Sequence, residues 1–373
     1  MNLSVCIIAK NEEKHIGKCM QCLSDKEVQI VVADTGSTDK TKEIAKKYTE
    51  FVYDFKWIDD FGAAKQFAVS KASNDNILIL DCDEYLQSDK TVLEKLNSML
   101  ENEPRRAGRI KCINVLEDDS KNTDWITRAF NRKYYKVEGK IHEQIVKTDG
   151  EPADTFLSAV VIKHVGYALN DDEKKKKASR NIKLLKKRLA ELEKNFDSDI
   201  TQNNEKEIPY IYYQLGKSYY MEKDYNNACD FFSKGLSFDL EPKLEYVIDM
   251  VETYGYAMLN SGKVQEALSY TSIYDVFGNS ADFKFLMGLI YMKNAMFDEA
   301  VNEFQKAAEY KESRVEGANS YLAYYNIGVI YECLGNIGKA QEYYKKCNGY
   351  SKAVERLKNG RHGNLTKCRK TGV

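Results

Sequence analysis

The chain has 373 residues, enough for two or three domains with real cores. Its 56 Lys and Arg balance 57 Asp and Glu, so no global basic field points to nucleic acid or an anionic membrane surface. No apolar run approaches the roughly 20 residues of a membrane helix, and any membrane work is expected to be peripheral.

Leu3 to Ala9 reads as a first strand. It is short, lacks a basic leader and runs straight into Lys10-Asn11-Glu12-Glu13, so no signal peptide is expected. Glu12–Leu23 reads as a helix, Gln29–Ala33 as a strand, Lys40–Tyr48 as a helix and Phe51–Asp54 as a short strand. A helix around Gly62–Ala72 leads to the strand Ile77–Leu80, whose four apolar residues suit a sheet covered on both faces. This βαβα order predicts an α/β domain with a mostly parallel sheet. Nine cysteines are scattered and odd in number; Cys19 and Cys22 have no second pair at zinc-finger spacing and fit a helix face. Reduced thiols and a cytoplasmic location follow.

Two acidic segments end strands, Asp34-Thr35-Gly36-Ser37-Thr38-Asp39 and Asp81-Cys82-Asp83-Glu84. In an open α/β sheet both face one crevice, at the strand ends where ligands bind. Carboxylates this close repel unless a cation sits among them, and they suit Mg²⁺ or Mn²⁺. A lone D-x-D is also simply an acidic loop, and Ser37 to Asp39 equally serve as a turn with Thr38 or Asp39 as a helix cap.

Taken together, Ser4-Val5-Cys6-Ile7-Ile8-Ala9-Lys10-Asn11-Glu12-Glu13, the segment 34–39 and Leu80-Asp81-Cys82-Asp83-Glu84 resemble a family 2 glycosyltransferase of the GT-A fold. Trp57 to Gln66 resembles that family's D-F-x-x-A-[RK]-N segment, with Gln66 where Asn is usual. Trp125 to Arg132, Gly139 to Gln144 and Lys163-His164-Val165-Gly166-Tyr167 resemble its R-x-F-R, G-x-I-H-E and H-x-G-Y segments. The resemblance covers residues 1–170. It implies a metal-dependent, inverting transfer from a UDP-sugar, GlcNAc or glucose favoured. It places Asp81 and Asp83 at the metal and diphosphate, Asp83 foremost, with Cys82 between them and His164 completing the metal shell or binding the diphosphate. Ala9, Asn11 and Glu12 line the nucleotide pocket, Asp34 meets uracil or ribose, and Lys65 meets phosphate. Glu143 is the expected base, oriented by His142; the alternative is that Glu143 merely pairs with Arg128 or Arg132.

From Asp171 a charged helical linker is expected to 208, with Ile182, Leu185, Leu189 and Leu192 as one apolar stripe and a polar stretch from Asp197 to Glu207. From 209 to 358 a pattern repeats. Gly216, Gly255, Gly288 and Gly328 each precede an alanine by twelve residues, and Phe232, Phe304 and Tyr344 follow their alanines by four. The second repeat is weakest, with Met258 and Thr271 in the aromatic positions. This resembles tetratricopeptide repeats, whose helical hairpins cannot bury their apolar faces alone and stack into a solenoid with a concave groove. Small glycine and alanine let the helices approach, and the aromatics are expected to fill the gap to the next repeat. Residues 359–373 read as a basic flexible tail.

A groove of that size fits an extended peptide. The expected acceptor is therefore a protein or peptide, modified on Ser, Thr or Cys; flagellin and secreted peptides are acceptors of similar architectures. The alternatives are a transferase acting on a lipid-linked or cell-envelope saccharide, or a scaffold with an inactive catalytic domain. A homodimer made through the repeats is the rival use of the groove.

Overall fold

The computed structural model describes residues 1–115, 120–166, 171–195 and 202–361. It divides into two compact units, Met1–Asp172 and Glu173–Val373.

In the first unit the elements in chain order are β1 (Leu3–Ala9), α1 (Ile16–Gln21), β2 (Gln29–Asp34), α2 (Thr41–Ala45), β3 (Val52–Asp54), α3 (Phe61–Lys71) and β4 (Asn76–Asp81). They are followed by β5 (Glu84–Leu86), α4 (Lys90–Asn102), β6 (Arg106–Val115), β7 (Lys121–Asn131), β8 (Tyr135–Glu138), β9 (Gln144–Lys147) and β10 (Asp154–His164). Eight strands form one sheet in the order β3-β2-β1-β4-β7-β6-β10-β5. The half built from β3, β2, β1 and β4 is parallel; β7 runs antiparallel to β4 and β6, and β10 is parallel to β6. β8 and β9 form a separate hairpin.

The parallel strands are apolar on both sides because both faces are covered. Ile16, Met20, Leu93, Leu96 and Leu100 pack from α1 and α4 onto one face, while Ala68, Val69 and Tyr135 cover the other. The first helix is shorter than expected. Asn11 adopts φ 55°, a left-handed conformation that asparagine tolerates, and residues 12–15 form turns before the helix begins. β7 and the β8–β9 hairpin were not expected from the sequence; the R-x-F-R segment lies on β7.

The second unit is helical: α5 (Asp171–Asn195), α6 (Gln202–Met221), α7 (Tyr225–Leu236), α8 (Glu245–Asn260), a 3-10 helix (Glu266–Ile273), α9 (Tyr274–Phe277), α10 (Ala281–Lys293), α11 (Phe297–Ala307), α12 (Tyr321–Cys333), α13 (Ile337–Lys346) and α14 (Ser351–Arg361). α5 buries Ala178, Ile182, Leu185, Leu189 and Leu192. The repeat glycines make room for the aromatic rings of the same hairpin. A Cβ on Gly216 would lie 2.5 Å from Phe232, one on Gly288 2.6 Å from Phe304, and one on Gly328 2.5 Å from Tyr344. Each aromatic ring therefore seats on the glycine of its own hairpin, and two of them also reach the next: Phe232 lies 6.2 Å from the Tyr254 ring, and Phe304 shares a buried cluster with Ala323 and Ile327. In the second repeat the glycine meets Leu286 and Tyr270 instead, and a 3-10 helix replaces the second α-helix. That substitution accounts for its weak pattern.

Among the described residues no helix is long and apolar enough to cross a membrane, and eight cysteines are free. Tyr167, residues 197–201 of the expected polar stretch and residues 362–373 of the expected tail lie outside the described residues.

Candidate active site

Register brings the acidic strand ends together. Ala9 pairs with Asp34 across β1 and β2, and Ile8 with Asp81 across β1 and β4, so the three strands end in line. The Ala9 carbonyl accepts from the Thr35 N–H at 2.8 Å. The loops after β1 and β2 are then laced together. The Asn11 N–H donates to Ser37 Oγ at 3.0 Å, the Thr38 N–H to Asn11 Oδ1 at 2.8 Å, and the Glu12 N–H to Thr41 Oγ1 at 2.7 Å. Asp39 Oδ1 accepts from the Thr41 N–H at 2.9 Å across Lys40, which is the N-cap position of α2 and itself makes no side-chain cap.

Asp34 is buried. Its Oδ1 accepts from the Gly36 and Ser37 N–H groups at 3.0 and 2.9 Å, whereas its Oδ2 has no hydrogen-bond partner. A buried carboxylate oxygen left open in this way is suited to a ligand N–H or O–H, because leaving it unmade is costly.

Behind the second acidic segment runs a chain of alternating charges. Lys65 Nζ lies 2.7 Å from Asp81 Oδ1 and 2.6 Å from Glu143 Oε1. Arg128 Nη2 lies 2.9 Å from Asp81 Oδ2 and 2.8 Å from Glu84 Oε1. Glu84 Oε2 also accepts from the Asp81 N–H at 2.9 Å. Burial alone would push Asp81 up, but the charges of Lys65 and Arg128 outweigh it and hold the carboxyl well below the usual range. Glu84 goes the other way: burial pushes it up, with Arg128 offsetting only part. Glu143 therefore has Lys65 as its ion-pair partner, not Arg128 or Arg132.

The fold delivers Lys65 and Glu143 to one place. Asp60 caps α3 by accepting from the Ala63 N–H at 2.8 Å. The Phe61 and Gly62 N–H groups donate to the Lys140 and Gly139 carbonyls at 2.9 and 3.0 Å. A Cβ on Gly62 would sit 2.6 Å from the Gly139 oxygen, so only glycine permits this docking.

Asp83 stands apart from that chain. Its Oδ2 lies 3.3 Å from His164 Nε2. Asn114 donates its NH₂ to Asn122 Oδ1 and Asp124 Oδ2 at 2.7 and 2.8 Å, which turns its carbonyl oxygen toward His164 Nδ1 at 2.8 Å. With the Asn114 carbonyl oxygen facing it, Nδ1 is the donor of that bond, and Nε2 is the ring nitrogen turned toward the Asp83 carboxylate. Gly166 makes room: a Cβ there would lie 2.0 Å from Asp83 Oδ2 and 2.6 Å from His164 Nε2. No group of three or more His, Cys, Asp or Glu arranged for a metal occurs among the described residues. Two donors, one oxygen and one imidazole nitrogen, nonetheless fit a hard divalent ion whose other positions go to substrate oxygens and water. Asp81 joins that shell only by exchanging Lys65 or Arg128. Cys82 is buried between them, its thiol donating to the Ile8 carbonyl at 3.3 Å and pushed well up by burial.

Sequence reasoning did not single out Arg128, Glu84 or Asn114 for these roles. The signal for Asn114 was polar residues at paired positions inside two strands: Asn114 faces Asn122, and Cys112 faces Asp124, across β6 and β7.

A crevice of carboxylates at the C-terminal edge of parallel strands, backed by buried cations, defines the first unit as an α/β enzyme domain. Residues 4–165 match the glycosyl transferase family 2 model, and residues 210–234, 281–314 and 321–353 match tetratricopeptide repeat models. The chain thus joins a domain that matches the family 2 glycosyltransferase model to a helical region that matches tetratricopeptide repeat models, and the degenerate second hairpin falls between the matched segments. It is 22% identical to a tetratricopeptide repeat-containing protein of Synechococcus elongatus, over 91% of this chain and 73% of that protein. It is 30% identical to the glycosyltransferase SunS of Bacillus subtilis, over 49% of this chain and 44% of SunS. It is 33% identical to the lipopolysaccharide core biosynthesis glycosyltransferase LpsC of Rhizobium meliloti, over 26% of this chain and 37% of LpsC. The chain spans less than half the length of these two glycosyltransferases.

Proposed function

We propose that the protein transfers a sugar, with inversion, from UDP-GlcNAc or UDP-glucose to a hydroxyl or thiol of a protein or peptide. The observation that carries this reading is the convergence, at one sheet edge, of the open Asp34 oxygen and the Asp83–His164 pair. Asp34 Oδ2 accepts a hydrogen bond from the uracil or ribose, with Ala9, Asn11 and Glu12 forming the wall of that pocket. Asp83 and His164 hold Mn²⁺ or Mg²⁺, which when bound offsets the charge of the departing diphosphate.

Glu143 takes the proton from the acceptor. The acceptor oxygen or sulfur forms its bond to the anomeric carbon as the bond from that carbon to the phosphate oxygen breaks, and the electron pair leaves on the diphosphate. Direct displacement of this kind inverts the centre without a sugar–enzyme intermediate. The repeats supply a groove suited to an extended peptide, which a small acceptor does not require. A second reading, transfer to a lipid-linked saccharide, is favoured by the likeness to a lipopolysaccharide core enzyme.

Incubation of the full chain with UDP-GlcNAc or UDP-glucose and Mn²⁺ tests both readings. Sugar-sized mass added to a host protein or peptide supports the first; label found only in lipid-linked saccharide favours the second. Crystals soaked with UDP and Mn²⁺ in which Asp34 and Asp83 touch neither would overturn the site. Crosslinking of a bound peptide only to residues before 170 would remove the acceptor role of the repeats and leave them to a homodimer.

A further inference from the structure

We propose that Lys65 is a positioning residue that ties the acceptor-side carboxylate, Glu143, to the donor-side carboxylate, Asp81; the inference rests on the transferase reading above. Lys65 is 4% exposed, and one nitrogen holds an oxygen of each carboxylate, at 2.7 and 2.6 Å. The two oxygens therefore lie no farther apart than those two distances combined. At such a separation two carboxylates repel, and the ammonium between them offsets that repulsion and holds the two oxygens at one nitrogen.

The helix that carries Lys65 is docked at its first turn to residues 139 and 140, just ahead of Glu143 on the chain. Asp81 ends β4, beside the strand end that bears Asp34 on the far side of β1. Lys65 thus sets the distance from the proton-accepting oxygen to the strand ends that seat the donor. It acts through Glu143, and its own ammonium is already engaged by two carboxylates. A displacement reaction is sensitive to this distance, since about 1 Å of misplacement costs on the order of 100-fold in rate.

The test measures UDP release from UDP-GlcNAc and UDP-glucose by the full chain with Mn²⁺, water serving as acceptor. Lys65→Met is expected to lower kcat about 100-fold while the donor KM stays within about threefold. Glu143→Gln is expected to lose a similar factor, and the double variant no more than either single one, because both remove the same function. Lys65→Arg, which keeps a cation able to bridge two carboxylates, is expected to recover about tenfold of the loss. A Lys65→Met enzyme with unchanged kcat, a rise in donor KM alone, or single losses that multiply in the double variant overturns the coupling. If Lys65→Met does not fold, the Lys65→Arg and Glu143→Gln cycle decides in the same way. A wild-type chain that releases UDP from neither donor overturns the transferase reading and the coupling with it.

Discussion

Each unit buries a cluster of carboxylates against cations, and the two clusters serve different ends. In the helical unit, Arg314 between α11 and α12 contacts Asp249 and reaches Glu252 Oε2 at 3.1 Å, while Lys217 Nζ lies 2.8 Å from Asp249 Oδ2. The Arg314 and Val315 N–H groups donate to the two oxygens of Asp282, each at 2.9 Å. Each of these three carboxylates is answered by a cation or by backbone donors, and the result ties one inter-repeat segment to α8 and α10. In the catalytic unit the charged chain ends at a strand edge, where Asp34 Oδ2 is open and Asp83 lies beside the His164 ring. Neither burial of charge nor one unmatched polar atom marks a site by itself, since Arg314 Nε in the helical cluster is also buried without a hydrogen-bond partner. Placement at the C-terminal edge of parallel strands is what sets the first cluster apart.

The comparison breaks most sharply at Asp83. Asp83→Asn removes the anionic donor and is expected to lower sugar transfer about 1,000-fold, several kcal/mol of transition-state stabilisation, with thermal unfolding unchanged. Assay of UDP release beside a melting curve checks it; an active Asp83→Asn chain would show that the two clusters are alike. Gly166→Ala comes next. The added methyl forces Asp83 and His164 apart, and a rate loss of about 100-fold is expected, with weaker retention of Mn²⁺. Arg314→Met is expected to do the reverse. It leaves UDP release intact and destabilises the helical unit by about 2 kcal/mol, less than a fully buried pair loses because about a third of the guanidinium side chain is exposed. Loss of UDP release in a folded Arg314→Met chain would place that cluster in the reaction.

The two units were legible in the sequence to different degrees, for physical reasons. The repeats announce themselves because a ring seated on a glycine recurs with every hairpin, and its one lapse, at Thr271, falls where a 3-10 helix replaces the second α-helix. The parallel half of the sheet was equally plain, since strands buried on both faces read as apolar runs. The site's partners were not. Lys65, Asp81 and Glu143 come from a helix, a strand end and a loop, and no local pattern records that α3 docks on residues 139 and 140. Arg128 sits on a strand whose exposed and buried positions barely alternate, and that strand was not expected at all. Period reports packing that repeats; convergence of single side chains depends on topology.

The finest test of the contrast uses pH. Burial pushes Glu252 up from its ordinary value of 4.5 to about 8, reinforced by Asp282 and Asp249 and opposed by Arg314. Between those values the folded chain holds a proton that the unfolded chain has released, so stability from this group falls as pH rises through the window. Asp249 is held the other way: Lys217 and Arg314 outweigh its burial and keep it below its ordinary 3.8, so its contribution is present at neutral pH and is lost only in acid. The two windows do not overlap. Urea unfolding of the helical signal is therefore expected to weaken by on the order of 4 kcal/mol from pH 5 to 8.5 in the wild-type chain. Glu252→Gln should flatten that slope without touching UDP release. A slope that persists in Glu252→Gln would mean that another group carries the titration and that this cluster is not the closed, structural one its geometry describes.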